Sequence, residues 1–262
     1  MQTDAPCRIA MWSPPRARST LLMRVFEALG CAVLDEPFYA YWLRSCNKTD
    51  DPGFAETLAA HESDWRKVVR ELHAPPPRGV SFYYQKHMAI HMLPEVDLDW
   101  LAHPEFVHGF LIRDPREVVA SMAEFRDLAR VQREQGTAAA AELVGIVQLE
   151  RIYDRARALG AREPLVLDAN ELLQDAGGLL GAFCRQIDLP FTTDQAIRWA
   201  PGQHASDGAW APFWYQKIFA TSELGIYRPP RQDESELPPA LREVVSACLP
   251  TYERLFAKRL VA

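Results

Sequence analysis

Cysteine is scarce in this sequence, and long apolar runs are missing. The five cysteines are widely spaced and include no CxxC pair, so neither a disulfide framework nor a zinc cluster is expected. The first residues, MQTDAPCRIAMWS, lack the apolar core of a signal peptide. No apolar run approaches the roughly 20 residues that span a bilayer. These absences predict a cytoplasmic protein with no membrane segment and no metal ion.

Positive charge is not in excess either. The chain has 29 Lys and Arg residues against 35 Asp and Glu residues, which gives a net charge of −6. A broad nucleic-acid surface is therefore not expected, and an anionic ligand would need a local basic site. The length of 262 residues allows one large α/β domain with a well-buried core. The oligomeric state does not follow from these features.

Segments with strand composition alternate with segments of helical periodicity. The predicted strands are 7–13, 32–34, 80–86, 106–112 and 165–167. The predicted helices are 19–29, 54–73, 115–129, 138–159, 171–187 and the tail from 237 onward. This alternation predicts an α/β fold of three layers, in which a central, mostly parallel sheet is flanked by helices. We expect a single domain over residues 1–262, with an aromatic-rich cap and a terminal helix from about residue 191.

The turn between the first predicted strand and the first helix is a candidate anion site. It has the sequence SPPRARST, residues 13–20, and ligands of parallel sheets bind at such strand ends. Unpaired N–H groups at the helix start, the charges of Arg16 and Arg18, and the hydroxyls of Ser19 and Thr20 suit a phosphate-like dianion. The alternative is a solvated basic loop in which serine caps the helix.

This turn differs from the phosphate loop of nucleotide kinases. It contains neither glycine nor lysine, so the pattern G-x-x-x-x-G-K-[ST] is absent. That absence counts against a usual ATP or GTP hydrolase. Arginine in place of lysine still binds phosphate, often through two parallel hydrogen bonds.

A second basic element follows the fourth predicted strand. In the segment 110–121, FLIRDPREVVAS, Arg113 ends the strand and Ser121 lies two turns into the next helix. This segment resembles the R-[DN]-x-x-[DE]-x-x-x-S stretch of the sulfotransferases that use 3′-phosphoadenosine 5′-phosphosulfate (PAPS). The resemblance implies that Arg113 and Ser121 hold the 3′-phosphate of PAPS.

The first turn is similar to another motif of that family, P-K-S-G-T-T, which wraps the 5′-phosphosulfate. The matching positions are Pro15, Arg16, Ala17, Arg18, Ser19 and Thr20. Arg16 replaces the family's lysine, Arg18 replaces its glycine, and the C-terminal R-K-G element of the animal enzymes is not evident. The resemblance covers roughly residues 7–190. It implies a P-loop NTPase-like sulfotransferase fold of a divergent bacterial type, with adenosine 3′,5′-bisphosphate as the product.

The same resemblance points to groups that could remove a proton from the acceptor. Glu36 ends the second predicted strand, where some bacterial members have a glutamate. Lys86 matches the lysine that contacts the bridging oxygen in animal members, and His87 lies one position before their histidine. Side chains of a strand alternate in direction, so this shift would turn His87 away from the site, and we favour Glu36 as the base. The alternatives are an ordinary loop carboxylate for Glu36 and a packed histidine for His87.

Aromatic residues and a further histidine are candidates for binding the acceptor or the adenine. These candidates are Phe38, Tyr39, His91, Trp210 and Trp214. Arg228 could also reach the 3′-phosphate. An aromatic core in the C-terminal part of the chain would explain the tryptophans equally well.

The function predicted from these features is transfer of a sulfuryl group from PAPS to a hydroxyl or amine of a small acceptor. Positioned cations stabilise the charge that develops in such reactions, so arginines are expected to suffice without a metal. One alternative is a P-loop nucleotide kinase, which the missing glycine and lysine disfavour. The other is a non-catalytic nucleotide-binding module. The partner is a small molecule, with no nucleic acid and no membrane expected.

Overall fold

Five parallel strands form the central sheet in a computed structural model, which describes residues 6–76, 79–159, 162–226 and 237–262. The strands are β1 (Cys7–Ser13), β2 (Ala32–Asp35), β3 (Phe82–Met88), β4 (Phe106–Ile112) and β5 (Leu165–Asp168). They lie in the order β2-β3-β1-β4-β5, and every neighbouring pair is parallel. The carboxyl ends of all five strands therefore lie along one edge, where ligands bind in folds of this class.

Helices connect and cover these strands. They are α1 (Ser19–Ala28), α2 (Tyr39–Ser45), α3 (Phe54–Ala60), α4 (Trp65–His73), α5 (Pro115–Ala123), α6 (Leu128–Gln135), α7 (Thr137–Val144), α8 (Ile146–Ala158), α9 (Ala169–Gln174), α10 (Ala176–Gln186), α11 (Thr193–Ala196), α12 (Ala211–Trp214), α13 (Gln216–Phe219) and α14 (Pro239–Phe256). Two 3₁₀ turns, Ala89–His91 and Asp99–Ala102, lie between β3 and β4. Within the described ranges, no helix is long and apolar enough to cross a bilayer.

Both faces of the sheet are buried, as β1 shows. Ile9 and Met11 pack into one apolar cluster with residues of α1 and α10. Ala10 and Trp12 pack into another cluster with residues of α8. Successive side chains of a strand point to opposite faces, and a parallel sheet covered on both sides needs apolar residues at both sets of positions. The three-layer α/β architecture predicted from the alternation of elements is confirmed.

The helix predicted over residues 138–159 is divided at Gly145. This glycine has φ of 85° and joins α7 to α8. A side chain at this position would meet Ile90 at 2.6 Å and Pro15 at 3.0 Å. Glycine is therefore favoured both by the backbone conformation and by the close approach to the turn after β1.

Two other predicted helices, 54–73 and 171–187, are also divided, in each case before a new N-cap. The carboxylate of Asp64 accepts a hydrogen bond from the backbone N–H of Arg66 at the start of α4. The carboxylate of Asp175 accepts one from Gly178 at the start of α10. Aspartate is a strong N-cap residue. Each of these acids therefore begins a separate helix within a segment whose periodicity predicts one continuous helix.

The segment between α11 and α12 is attached to α1 by buried charges. Arg24 of α1 is 1% exposed and donates two hydrogen bonds to the carboxylate of Asp207, at 2.6 and 2.7 Å. Glu27 accepts a hydrogen bond from Ser206 at 2.7 Å and lies 2.6 Å from Nδ1 of His204. These contacts hold the segment against α1, and the backbone N–H of Gly208 in the same segment donates to Asp35 at the carboxyl end of β2, at 3.2 Å.

Candidate functional site

The turn after β1 holds two arginines in the left-handed region of the backbone. Arg16 has φ of 63° and Arg18 has φ of 64°, and Arg18 is the N-cap residue of α1. Residues with a side chain rarely adopt these values, which cost roughly 1–3 kcal/mol each. The chain thus keeps an arginine at position 18, where the backbone favours glycine. Strain of this kind clusters at binding and catalytic sites.

The two basic motifs of the sequence meet beside this turn. The Nε of Arg16 donates a hydrogen bond to Oγ of Ser121 at 3.0 Å. The Nη1 of Arg113 donates one to the backbone carbonyl of Arg16 at 2.6 Å. Burial lowers the pKa of Arg16, a shift that Glu124 opposes and Arg113 reinforces. Residues about a hundred positions apart therefore form one basic surface at the start of α1.

Two residues that were not predicted from the sequence hold the arginines of this basic surface in place. Glu117 of α5 accepts hydrogen bonds from Arg113 at 2.6 and 3.2 Å and from Arg18 at 3.4 Å. Asn170 of α9 accepts a hydrogen bond from Arg18 and donates one to Glu117 at 2.5 Å. Glu117 could have been found, because it occupies the acidic position of the R-[DN]-x-x-[DE]-x-x-x-S pattern. No sequence signal points to Asn170.

The basic surface forms part of the wall of a cavity of about 850 Å³. Pockets of about 300–1,000 Å³ are typical of small-molecule sites. The predicted site residues that line it are Arg16, Arg18, Ser19, Thr20, Glu36, Tyr39, His91, Arg113, Ser121, Trp210 and Trp214. The structure thus brings together most of the predicted site. In the part of the chain that the structure describes, no group of three or more His, Cys, Asp or Glu residues could hold a metal ion.

Further aromatic side chains form part of the remaining wall. Trp42 and Phe213 line the cavity together with Phe125. The guanidinium of Arg16 lies over the Phe125 ring, 4.6 Å from its centroid. Such cation–π contact lets a charged and an apolar group share one wall. The cavity therefore combines a basic part with an aromatic part.

Some predicted site residues do not line this cavity. Ala17 is fully buried and packs in the apolar cluster with α1. Phe38 is 1% exposed and packs near His87 and Trp100 in the cluster on the other face of the sheet. This placement disagrees with the prediction that Phe38 contacts the acceptor, because the ring is turned away from the cavity. Arg228 lies outside the described residues.

His87 is also turned away from the cavity. Because β3 continues to Met88, its side chain points to the face opposite that of Lys86. Its ring stacks on Trp12, with 4.4 Å between the centroids, and its Nε2 lies 3.3 Å from Oε1 of Gln85. Burial lowers the pKa of His87 well below its usual value, so the ring is neutral. This placement is that of a packed core histidine and disagrees with the proposal of His87 as the base.

Glu36 and Lys86 lie together at the ends of β2 and β3. The Nζ of Lys86 lies 2.9 Å from Oδ1 of Asp35 and 2.6 Å from the hydroxyl of Tyr215, and it also donates to Oε1 of Glu36. Lys86 is fully buried, whereas Glu36 and Tyr215 line the cavity. Burial by itself lowers the pKa of Lys86, but the two carboxylates outweigh it and raise the pKa. Lys86 is therefore a charged group behind the cavity wall.

His91 stands beside Glu36 in the wall. Its ring stacks with Tyr39 and lies close to Trp42, with centroid distances of 5.1 and 5.3 Å. Its Nε2 is 3.9 Å from Oε2 of Glu36, and among the described residues its Nδ1 has no hydrogen-bond partner. Burial lowers the pKa of His91 well below its usual value, and Lys86 acts in the same direction. A neutral ring at this position can donate a hydrogen bond to a ligand in the cavity or accept one from it.

Comparisons with solved structures support the fold. The chain is similar to the sulfotransferase domain from the Synechococcus PCC 7002 olefin synthase, with a TM-score of 0.52, 17% identity, and coverage of 100% of this chain and 98% of that chain. It is also similar to the sulfotransferase domain from the curacin biosynthetic pathway, with a TM-score of 0.51, 13% identity, and coverage of 92% and 97%.

Sequence comparisons extend this finding. Branched-chain-amino-acid aminotransferase-like proteins 2 and 1 of Arabidopsis thaliana are 28% and 27% identical to the chain over 248 residues. The match covers 94% of this chain but 41% of each relative, so the chain spans less than half the length of these relatives. The family model of the sulfotransferase domain matches residues 7–259. Because this match runs from β1 to beyond α14, the chain belongs to the sulfotransferase domain family.

Proposed function

We propose that this chain transfers a sulfuryl group from PAPS to the hydroxyl, or amine, of a small acceptor. The observation that carries the proposal is the meeting of the two basic motifs, in which Arg16 contacts Ser121 and Arg113 contacts the Arg16 carbonyl. The resulting site combines a helix N-terminus, guanidinium groups and hydroxyls, which suit a ligand with phosphates at two positions. Membership of the sulfotransferase domain family supports the same reaction class.

Arg113 and Ser121 are proposed to bind the 3′-phosphate of the donor. A guanidinium has five N–H donors, and Arg113 uses three of them on Glu117 and the Arg16 carbonyl. Among the described residues, nothing accepts from the two others or from the hydroxyl of Ser121, so these donors remain for an anion in the cavity that both residues line. Glu117 fixes the plane of the guanidinium, so little side-chain freedom is lost on binding.

Arg16, Ser19, Thr20 and the N-terminus of α1 are proposed to bind the 5′-phosphosulfate. PAPS supplies a sulfuryl group activated by its bond to phosphate. Transfer forms a bond between the acceptor oxygen and sulfur and breaks the bond between sulfur and the bridging oxygen. Donors already aimed at that bridging oxygen stabilise the charge that develops on it, and the product is adenosine 3′,5′-bisphosphate.

Glu36 is proposed to take the proton of the acceptor hydroxyl. Its side chain is 10% exposed and lines the same cavity as Arg16. Its backbone has φ of 38°, a strained value for a residue with a side chain. A positioned base contributes about 100- to 10,000-fold to the rate of such proton transfers. The wall beside Glu36, formed by Tyr39, His91 and Trp214, is proposed to hold an acceptor with an apolar or aromatic body.

Thermal unfolding with added nucleotides tests the donor assignment. Adenosine 3′,5′-bisphosphate should raise the Tm, because a ligand that binds only the folded state stabilises it by about 2.7 kcal/mol at 100 times its Kd. Adenosine 5′-monophosphate, which lacks the 3′-phosphate, should raise the Tm less. If ATP with Mg²⁺ stabilises the protein and the bisphosphate does not, the donor assignment fails and the kinase alternative is favoured.

Mass spectrometry of reactions with PAPS and a panel of small alcohols and amines tests the transfer itself. A product heavier by one sulfuryl group is expected, and its formation should continue in EDTA because arginines and a helix N-terminus supply the positive charge. Binding of the bisphosphate without transfer to any acceptor would favour the non-catalytic module.

A further inference from the structure

The ammonium of Lys86 has a complete set of hydrogen-bond acceptors. An ammonium carries three N–H donors, and those of Lys86 face Asp35 at 2.9 Å, Tyr215 at 2.6 Å and Glu36. The side chain is 0% exposed and does not line the cavity. Lys86 therefore has no N–H group left for a ligand, although it matches a lysine that the resemblance assigns to the donor.

The hydroxyl of Tyr215 also has all its hydrogen-bonding positions occupied. It receives one hydrogen bond from Lys86 and another from the indole N–H of Trp210 at 3.2 Å, and the hydroxyl of Thr20 hydrogen-bonds to it as well. Its acceptor positions are therefore occupied. Its own proton must then go to a carboxylate, with Oδ2 of Asp35 at 2.9 Å and Oε1 of Glu36 at 3.1 Å. Burial raises the pKa of Tyr215 well above its usual value, and both carboxylates add to the shift. The hydroxyl therefore keeps this proton.

The two carboxylates of this cluster differ in what remains open to a ligand. Asp35 is 4% exposed, and its Oδ2 accepts from Tyr215 and from the backbone N–H of Gly208 at 3.2 Å. Burial raises the pKa of Asp35. Glu36 lines the cavity, and its Oε2 lies 3.9 Å from His91 in the same wall. Only the carboxylate of Glu36 can therefore reach an acceptor.

We propose that Lys86, Asp35 and Tyr215 are positioning residues that fix the Glu36 carboxylate at the cavity wall, and that Lys86 makes no contact with the donor. The proposal rests on the proposed function, because it assigns partners to the proposed base. The positive charge at the bridging oxygen then comes from Arg16 and the start of α1. Through Tyr215, the C-terminal part of the chain contributes a side chain to the proposed proton-transfer site and does not merely lie over the cavity.

The first experiment compares Tyr215→Phe with the unchanged protein in steady-state kinetics. The variant loses one donor to the carboxylates, so we expect kcat to fall about tenfold, the size of one hydrogen bond to a charged group. The KM for PAPS and the affinity for adenosine 3′,5′-bisphosphate should not change.

Tyr41→Phe is the matched control. The hydroxyl of Tyr41 donates to Glu95 at 2.7 Å, and Tyr41 does not line the cavity. If Tyr215→Phe leaves kcat as unchanged as Tyr41→Phe does, while Glu36→Gln is inactive, the positioning network is refuted and the proposed function stands. A fully active Glu36→Gln variant, or no binding of the bisphosphate, would instead contradict the proposed function.

A second experiment tests whether Lys86 contacts the donor. Lys86→Met alone leaves two buried carboxylates without a counter-ion and is expected to disturb folding, so the substitution is made in the double variant Asp35→Asn, Glu36→Gln, in which neither carboxylate remains. If Lys86 acts only through these carboxylates, the added substitution leaves the residual kcat of the double variant unchanged. A further loss of about tenfold or more at unchanged bisphosphate affinity would mean that Lys86 acts on the donor directly, which overturns the proposal.

Discussion

The two charged parts of the cavity are built in opposite ways. On the side proposed to bind the donor's phosphates (the phosphate-binding side), Arg113 is 14% exposed and uses three of its five N–H groups on described residues. On the side proposed to take the acceptor's proton (the proton-transfer side), Lys86 is 0% exposed and uses all three of its N–H groups. A cation with spare donors at a cavity wall is prepared to bind an anion, whereas a surrounded cation fixes its neighbours. Burial and donor count separate these roles more clearly than residue type does.

The largest effect is expected when the support of the proton-transfer side is broken at Asp207. Asp207→Ala leaves the guanidinium of Arg24, which is 1% exposed, without the carboxylate that accepts two of its hydrogen bonds. Loss of one partner of a buried pair costs about 3–5 kcal/mol in the free energy of unfolding, measured by chemical denaturation. Asp154→Ala is the control, because the Asp154–Arg254 pair is 54% and 41% exposed and such pairs contribute about 1 kcal/mol or less. Equal losses in the two variants would contradict the buried-anchor interpretation.

The next effect concerns the base itself. Glu36→Gln should lower kcat by about 100-fold or more, because the amide cannot accept the proton. Affinity for adenosine 3′,5′-bisphosphate, measured by calorimetry, should stay the same. His87→Ala should retain kcat and lose stability, because His87 packs on Trp12 in the core. An active Glu36→Gln variant together with an inactive, folded His87→Ala variant would reverse the assignment.

A smaller effect is expected on the phosphate-binding side. Arg113→Ala should weaken bisphosphate binding by about 2 kcal/mol, or roughly 30-fold in Kd, the value of a charged hydrogen-bonded contact. Binding of adenosine 5′-monophosphate should change little, because it lacks the phosphate assigned to Arg113. Arg116→Ala serves as the control, since Arg116 is 46% exposed and does not line the cavity. An equal loss of affinity for both nucleotides would show that Arg113 does not contact the 3′-phosphate.

The smallest effect on folding is expected at Arg18. Arg18→Gly relieves a backbone with φ of 64° but also removes the hydrogen bonds of Arg18 to Asn170 and Glu117, so the free energy of unfolding should change by about 1 kcal/mol or less. The same change removes a cation of the cavity wall, so bisphosphate affinity should fall about tenfold. Asn47→Gly, at another positive φ of 49° and outside the cavity, should change stability alone. Unchanged binding in Arg18→Gly would remove Arg18 from the donor site.

The sheet could be predicted from the sequence, because its strands are apolar at both alternating sets of positions. Strands 7–13 and 106–112 were predicted with the bounds that the structure shows. The divisions of the helices could not be predicted in the same way. Gly145 breaks its helix at a position where Ile90 and Pro15 leave no room for a side chain, and such tertiary contacts are not visible in helical periodicity.

The phosphate-binding side was predicted more completely than the proton-transfer side. Arg16 and Arg113 stand in two short motifs whose spacing can be read directly. Tyr215, by contrast, meets Asp35 across 180 positions, and no local pattern connects them. The direction of His87 depends on where β3 ends, and composition does not fix a strand end to within one residue.

The ribosome makes α1 and β3 before it makes the C-terminal residues that contact them. All five strands have been made once Asp168 is added, but Asp207 and Tyr215 come later. Until they emerge, Arg24 lacks the carboxylate that accepts two of its hydrogen bonds, and hydration opposes its burial. Lys86 already has the carboxylates of Asp35 and Glu36, but it still lacks the Tyr215 hydroxyl. A nascent chain can therefore hold a finished sheet before the part of the cavity proposed for proton transfer is complete.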